Sequence, residues 1–174
     1  MIAFLTLWAA LWFAPGHPAP PSPRPTPTQA ATSATVAVLP VEPTGDADPG
    51  LAQSLTAVIR GEAAALGGLD VAAGPALPRR DLQLALGCAG ETPTCLGAVA
   101  SRLSVEILVM PQVHRDGETL ILSMGLYRAG REGPPKIHSV QAAGPQAAAE
   151  LVSQVTPALG FLLFRAQFVE LALE

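Results

Sequence analysis

Charged residues are scarce in this chain, and the basic ones form no cluster. Only 14% of the 174 residues are charged, the formal net charge is −4, and Lys136 is the sole lysine. Aromatic residues make up only 5% of the chain. A nucleic-acid-binding surface usually combines a basic stripe with interleaved aromatic side chains. The composition therefore argues against a nucleic-acid partner.

The motifs of common catalytic sites are missing as well. The sequence contains no phosphate loop ending in Gly-Lys-Ser/Thr, no Gly-x-Ser-x-Gly elbow and no His-Glu-x-x-His helix. Its hydrophobic content of 49% is nevertheless typical of a chain that folds. The sequence therefore predicts a folded protein that is not an enzyme and that holds no cofactor and no metal.

Cysteine occurs only twice, and the positions of Cys88 and Cys95 predict a disulfide. They lie at the end of one expected helix and the start of the next, so the bond would close a short loop. A redox-active pair usually has Cys-x-x-Cys spacing, and a zinc site needs more ligands than the sequence offers nearby. Two buried thiols are the alternative. Because disulfides persist outside the reducing cytoplasm, the pair favours an exported protein.

The amino-terminal residues also favour export. Residues 2–14 form an apolar run that has the length of a signal-peptide core and is shorter than the roughly 20 residues of a membrane-spanning helix. No lysine or arginine precedes the run, so an uncleaved inner-membrane anchor is the alternative. Residues 17–34 are rich in proline and predict an extended spacer. We expect residues 1–16 to be a signal peptide or anchor, and the protein to be periplasmic.

Residues 35–156 have the pattern of one α/β domain. The run from Thr35 to Pro40 is apolar without alternation, as in a strand covered on both faces. A loop from Val41 leads to a helix that starts at Asp48, its N-cap, and Pro49. The later elements are expected to be a short strand at 69–72, helices at 79–86 and 92–103, a hairpin at 105–128, a strand at 136–142 and a helix from Gly144. This order predicts a mixed sheet, parallel at its start and antiparallel in its C-terminal meander, packed with about four helices in two or three layers.

The clearest local signal is the dipeptide Asp116-Gly117, which is typical of a two-residue hairpin turn of the primed type. If these two residues form the turn, Val113 faces Leu120 across the hairpin and Val109 faces Met124. One face of the hairpin is then apolar and the other is mixed. We therefore expect one side to pack on helices and the other to be partly in contact with water.

Several of these segments together resemble a known family. They are Val36-Ala37-Val38-Leu39-Pro40, a helix with Leu-x-x-x-Leu-x-x-x-Ile spacing, Cys88 and Cys95 followed by Leu96, Ala100-x-x-Leu103, Ile107-Leu108-Val109 and the Asp116-Gly117 hairpin. In this order they resemble the TolB amino-terminal-like domains of bacterial envelope proteins, a fold also seen in CsgG-like curli-secretion lipoproteins and penicillin-binding-protein activators. The resemblance covers Thr35 to Val155, and the version with cysteines is similar to domains of myxobacterial envelope proteins. It implies a non-enzymatic docking module, although the lipid-attachment cysteine of the lipid-anchored members is missing.

Two groups of polar residues are candidates for a binding site. Glu42, Asp46 and Asp48 follow the first strand, where α/β sheets commonly bind ligands. They would serve the alternative function, that of a small-ligand-binding or sensor domain, unless Asp48 is a helix cap and Asp46 a turn residue. His114 and His138, on two strands of the meander, could share a sheet face and form a polar site; ordinary solvent-side residues are the favoured alternative.

Residues 157–174 predict a separate apolar helix that starts at Thr156-Pro157. Its polar residues fall on one narrow strip, so the rest of its circumference needs burial on several sides. The helix either completes the core or presents Phe161, Phe164 and Phe168 as a partner surface. Its strip is acidic, which argues against binding to a membrane surface. The sequence thus predicts a docking module whose partner is another envelope protein or a second copy, with membrane contact at most through the amino-terminal segment.

Overall fold

The computed structural model describes residues 33–168, and it describes the side chains of residues 33–164. The predicted signal peptide and nearly all of the predicted spacer lie outside the described residues. The described residues form these elements: β1 (Ala34–Val38), β2 (Glu42–Gly45), α1 (Pro49–Ala65), β3 (Leu69–Val71), α2 (Arg79–Ala85), α3 (Pro93–Leu103), β4 (Ile107–Asp116), β5 (Thr119–Arg128), β6 (Lys136–Ala143) and α4 (Ala147–Phe168).

The strands form one mixed sheet. Its order is β3-β1-β4-β5-β6, and β2 pairs with β4 off this path. β1 runs parallel to β3 and to β4, whereas the β4–β5 and β5–β6 pairs are antiparallel. The predicted α/β fold is thereby confirmed: a parallel start, an antiparallel C-terminal meander and four helices among the described residues.

The expected loop after Val41 contains a strand instead. β2 pairs in parallel with residues 112–115 of β4. These residues follow, along β4, the residues 107–109 that pair with β1. The β2 side chains are mostly exposed, so the strand has neither an apolar run nor an apolar alternation. β2 is defined by its backbone hydrogen bonds to β4, and a hydropathy pattern cannot predict such bonds.

The predicted hairpin forms, but its turn lies one residue later than expected. Asp116 pairs with Thr119, so Gly117 and Glu118 are the turn residues. Gly117 has a φ of 56°, whereas Glu118 does not have a positive φ. A positive φ at the first central residue alone is the property of a type II′ turn, which takes glycine there.

The shifted turn changes which residues face each other. The predicted partners of Val113 and Val109 are wrong, because Val113 faces Leu122 and Val109 faces Leu126. Each residue exchanges its partner for the one two positions further along β5. Since side chains alternate with a period of two, this shift leaves every side chain on its predicted face of the hairpin.

One face of the sheet carries the larger core. Leu55 and Ile59 of α1 and Leu151 and Leu159 of α4 are fully buried against it. The sheet contributes alternate residues of its strands to the same cluster: Val36, Val38, Ile107, Val109, Val113, Leu120, Leu122, Met124 and Leu126. At about 1.5–3 kcal/mol for each fully buried large aliphatic side chain, this cluster is the main source of stability.

The second face is covered only in part. Leu82 of α2 and Leu96 and Val99 of α3 pack on β1 and β4, with Leu108 and Met110 in the same cluster. Further along this face, towards β6, the core cluster ends, and Ile137 of β6 is 64% exposed. The domain therefore has three layers at β1 and β4 and two layers at β6, which combines the two arrangements that the sequence left open.

The C-terminal helix does not start at Pro157. A single helix, α4, runs from Ala147 to Phe168 with Pro157 inside it. The expected cap residue Thr156 instead donates a hydrogen bond from its hydroxyl to Glu62 of α1, at 2.7 Å. Proline in a helix interior costs about 3 kcal/mol, and the burial of Leu159, Leu162 and Leu163 beyond it offsets that cost.

By length and composition alone, α4 could cross a membrane over the stretch Ala147–Phe164. Within the domain, however, 39% of that stretch is buried. Its buried residues face the sheet, as expected of the core helix of a folded domain.

Candidate interaction surface

The disulfide loop joins α2 to α3. Cys88 and Cys95 are bonded, with their Cα atoms 5.6 Å apart, and Cys95 is buried. The buried side chain of Gln83 donates a hydrogen bond to the carbonyl oxygen of Gly90 at 2.8 Å. The disulfide and the Gln83 side-chain amide thus both hold the loop between α2 and α3. The geometry is compatible with the predicted disulfide.

Arg79 connects this loop to the first residue of β2. Its guanidinium donates to Glu42 at 2.9 Å and also to Glu91 of the disulfide loop. Glu42 accepts a second hydrogen bond, from the backbone N–H of Arg80 at 3.3 Å. The Glu42 carboxylate is therefore engaged in holding α2 to the sheet.

The other two carboxylates of the candidate ligand loop have separate surroundings. Asp48 accepts a hydrogen bond from the N–H of Leu51 at 2.8 Å and is the N-cap of α1. Asp46 is exposed to solvent. Among residues 33–168, no group of three His, Cys, Asp or Glu residues could hold a metal ion. The structure thus does not bring Glu42, Asp46 and Asp48 together on a shared centre.

The two histidines lie on opposite faces of the sheet, so they do not form the polar site that a shared face would have allowed. His138 pairs with Met124, whose side chain is in the α1–α4 core. His114 pairs with Ile121. Ile121 and Met124 are three residues apart on β5, so their side chains lie on opposite faces of the sheet. Because the face of a residue depends on the register of both hairpins, the spacing of the histidines in sequence could not determine it.

Each histidine has a local partner. The Nδ1 atom of His114 lies 3.2 Å from the hydroxyl of Thr44 in β2. The ring of His138 packs against Phe161 of α4, with ring centroids 5.1 Å apart. The histidines therefore support the neighbouring elements and do not converge on a common site.

The C-terminal part of α4 combines buried and exposed apolar side chains. Leu159, Leu162 and Leu163 are buried against the sheet, whereas Phe161 is 48% and Phe164 51% exposed. Phe168 is the last helical residue described, and its side chain lies outside the description. We call the predicted set Phe161, Phe164 and Phe168 the α4 surface. Contiguous exposed apolar patches mark interaction sites, whereas single exposed apolar residues are common on any protein surface.

A shallow depression lies beside the α4 surface. It has a volume of about 270 Å³ and is lined by Lys136, Ile137, Phe161 and Leu162. Ile137 itself is 64% exposed. Pockets that enclose small ligands have volumes of about 300–1,000 Å³ and bury most of the ligand. An open depression of this size next to exposed apolar residues suits a partner side chain better.

Sequence reasoning missed a second group of exposed apolar residues. Leu77, Leu84 and Leu86, in and beside α2, are 51%, 65% and 37% exposed. Leu82 is the one leucine of this segment that is buried. A helix of seven residues can bury little more than one turn against the sheet. The four leucines within residues 77–86 were therefore a signal that some of them would be exposed to solvent.

The chain matches no protein-family model and no curated protein. Its backbone is similar to several solved structures. The C-terminal domain of LpoB from Escherichia coli is 13% identical at a TM-score of 0.46, over 64% of this chain and 84% of that one. PelC from Paraburkholderia phytofirmans is 13% identical at 0.48, over 75% and 89%. Lipoprotein GNA1162 from Neisseria meningitidis is 15% identical at 0.48, over 73% and 96%.

Proposed function

We propose that this chain is an exported, non-enzymatic protein of the bacterial envelope that docks another envelope protein. In this proposal it is a member of the TolB amino-terminal-like group, and it works in the periplasm. The α4 surface is its docking site. Export is supported by the apolar residues 2–14 and by the bond between Cys88 and Cys95, because structural disulfides form and persist in oxidising compartments.

The exposure of Phe161 and Phe164 carries the proposal. They lie on a helix whose other face is already anchored in the core by Leu159, Leu162 and Leu163. Phe161 also contacts His138 of β6, yet about half of the surface of each ring remains exposed beyond these contacts. Aromatic side chains of this kind are enriched at the energetic centres of protein–protein interfaces, and the open depression beside Phe161 would accept one side chain of a partner.

The alternative of a small-ligand-binding or sensor domain gains no support from its candidate residues. Glu42 is neutralised by Arg79, and Asp48 caps α1. None of four depressions on the described surface is lined by Glu42, Asp46 or Asp48. Docking through α4 is the function that the exposed side chains favour.

The proposal is tested with Phe161→Asp combined with Phe164→Asp. The matched control is Val152→Asp, because Val152 is 38% exposed on the same helix. We expect cross-linking in intact cells to give the same partner adduct with the wild type and the control, and none with the double variant. Loss of two aromatic anchors should cost at least about 2 kcal/mol of binding free energy.

Thermal melting distinguishes docking from folding in this experiment. The double variant should melt at the temperature of the control. If the double variant keeps the adduct, the α4 surface is not the docking site. If it unfolds while Val152→Asp stays folded, the two rings belong to the core and the proposal fails.

A further inference from the structure

The strand β6 is an open edge of the sheet. It is the last strand in the sheet order and pairs only with β5 among the described residues. The N–H of Gly144 donates to the carbonyl oxygen of Glu118, at 3.1 Å. Because the backbone groups of a strand point alternately to its two sides, the residues in phase with Gly144 bond to β5. The N–H and C=O groups of Ile137, Ser139, Gln141 and Ala143 therefore point away from the sheet.

This edge lacks the usual devices that prevent strand pairing. Natural edge strands are short, or they carry prolines, bulges or several charges. β6 has eight residues in continuous register with β5, without a bulge. It contains no proline, and Lys136 at its first position is its only charged residue. The opposite edge strand, β3, has only three residues, so β6 is the edge that offers a long row of backbone donors and acceptors.

Charge distribution favours a second copy of this chain in antiparallel orientation. Lys136 lies where β6 begins. Two exposed acids lie where β6 ends: Glu118, whose carbonyl binds Gly144, and Glu150 in the first turn of α4. Among the described residues, none of these three side chains takes part in an ion pair. Antiparallel pairing of two β6 strands would bring the Lys136 end of each copy against the acidic end of the other.

We propose that two copies of the chain associate through antiparallel pairing of their β6 strands. The two sheets then form one continuous sheet about a two-fold axis near Ser139 and Val140. Each copy supplies the same surface, as a two-fold interface requires. Ile137, which is exposed in the single copy, and Ser139 beside the axis become part of the interface. This association does not depend on the α4 surface, so the two proposals fail separately.

The position of the axis is tested by cross-linking the full chain. Ser139→Cys places a thiol on the outer edge, where a short bis-maleimide should join two copies. Ser101→Cys is the matched control, because Ser101 is an exposed serine on α3, which packs on β1 and β4 and not on β6. We expect a dimer band with Ser139→Cys and only monomer with Ser101→Cys. Equal cross-linking of the two variants, or cross-linking of the Ser139→Cys variant only to another protein, would overturn the proposal.

The role of the strand edge is tested by Ser139→Pro in sedimentation experiments on the full chain in detergent. Proline here removes an outward N–H and no bond to β5. Ser139→Ala is the control, since both changes remove the hydroxyl that lies 2.8 Å from Ser123. We expect the wild type and Ser139→Ala to be dimers and Ser139→Pro to be a monomer with the melting temperature of the control. Should Ser139→Pro unfold, Ile137→Lys replaces it, because this exposed side chain is not needed for folding.

Lys136→Glu adds a test of orientation. It places like charges at both ends of the antiparallel pair and should weaken the dimer at least tenfold at low salt, with a smaller effect at high salt. A monomeric wild type, a dimer that survives both Ser139→Pro and Ile137→Lys, or a dimer strengthened by Lys136→Glu would each contradict the proposal. Partner capture through α4 should be unchanged in Ser139→Pro and Ser139→Ala. Lys136 and Ile137 line the depression beside Phe161, so their variants are used to test the dimer alone.

Discussion

The two aspartates in the segment after β1 have different roles, although they are the same residue type two positions apart. Asp48 caps α1 through the N–H of Leu51, whereas Asp46, two residues earlier, is exposed. We expect Asp48→Ala to lower the free energy of unfolding by about 1 kcal/mol, because an N-cap hydrogen bond is lost. Asp46→Ala should change it by less than about 0.5 kcal/mol. Urea denaturation measures both, and equal effects of the two substitutions would contradict the assignment of the cap.

Gly117 is the residue on which the hairpin turn depends. Its φ of 56° lies in the left-handed region, which a β-branched side chain resists. We expect Gly117→Val to lower the free energy of unfolding by at least about 1 kcal/mol, either through strain or through a changed register. Glu118→Val is the control at the second turn residue, where φ is not positive. A melting curve of Gly117→Val that matches the wild type would mean that the turn has another conformation.

The turn also shows what a local motif can and cannot predict. The dipeptide Asp116-Gly117 located the hairpin because glycine is needed where φ is positive. It did not decide between a turn with two positive φ values and one with a single positive value at Gly117. That choice depends on the packing of Val113 against Leu122 and of the other core pairs, which act far from the turn in sequence.

At the scale of elements, the α2–α3 unit depends on its disulfide. We expect mass spectrometry of exported protein under non-reducing conditions to show the peptides of Cys88 and Cys95 linked. Two freely alkylated thiols would contradict this. Replacing both residues by alanine should lower the free energy of unfolding by up to about 2.5 kcal/mol, the chain-entropy value for a loop of this length. The hydrogen bond from Gln83 to Gly90 and the ion pair from Arg79 to Glu91 keep part of the loop in place.

The reductant sensitivity of the protein provides the control. Reduction should lower the melting temperature of the wild type and leave the double alanine variant unchanged. A wild type that melts at one temperature in both conditions would show that the bond contributes nothing to stability.

Helix starts were predictable where tertiary packing does not oppose the local signal. Asp48-Pro49 and Thr92-Pro93 start α1 and α3 as the sequence indicates, because cap residues act locally. Thr156-Pro157 carries the same signal and starts nothing, because α4 is kept helical through it by contacts of Thr156 with α1 and of Leu159 with the sheet. Tertiary packing overrode the local preference there.

At the scale of the whole molecule, the fold class followed from the order of the elements, and the covering of the sheet did not. The apolar run of β1 indicates burial on both faces, as is observed, whereas the expected mixed face of β4 is buried under α3 over residues 108 and 110. The extent of α2 and α3 across the sheet determines which strands are covered on a single face. The exposure of Phe161 and Phe164 was predictable because the apolar residues of this helix exceed one buried face. The β6 edge depends on a strand order that the sequence does not state.

The position of β1 within the sheet has a consequence for the order in which the chain can fold. β1 is made first, but its partners are residues 69–71 and 107–109. A chain that emerges from a ribosome or a translocation channel therefore carries an apolar strand without a complete set of neighbours until β4 has followed it. The β4–β5 hairpin, in contrast, closes over a two-residue turn. Local pairings form faster than distant ones, so we expect the β4–β5 hairpin to form before β1 pairs with β4.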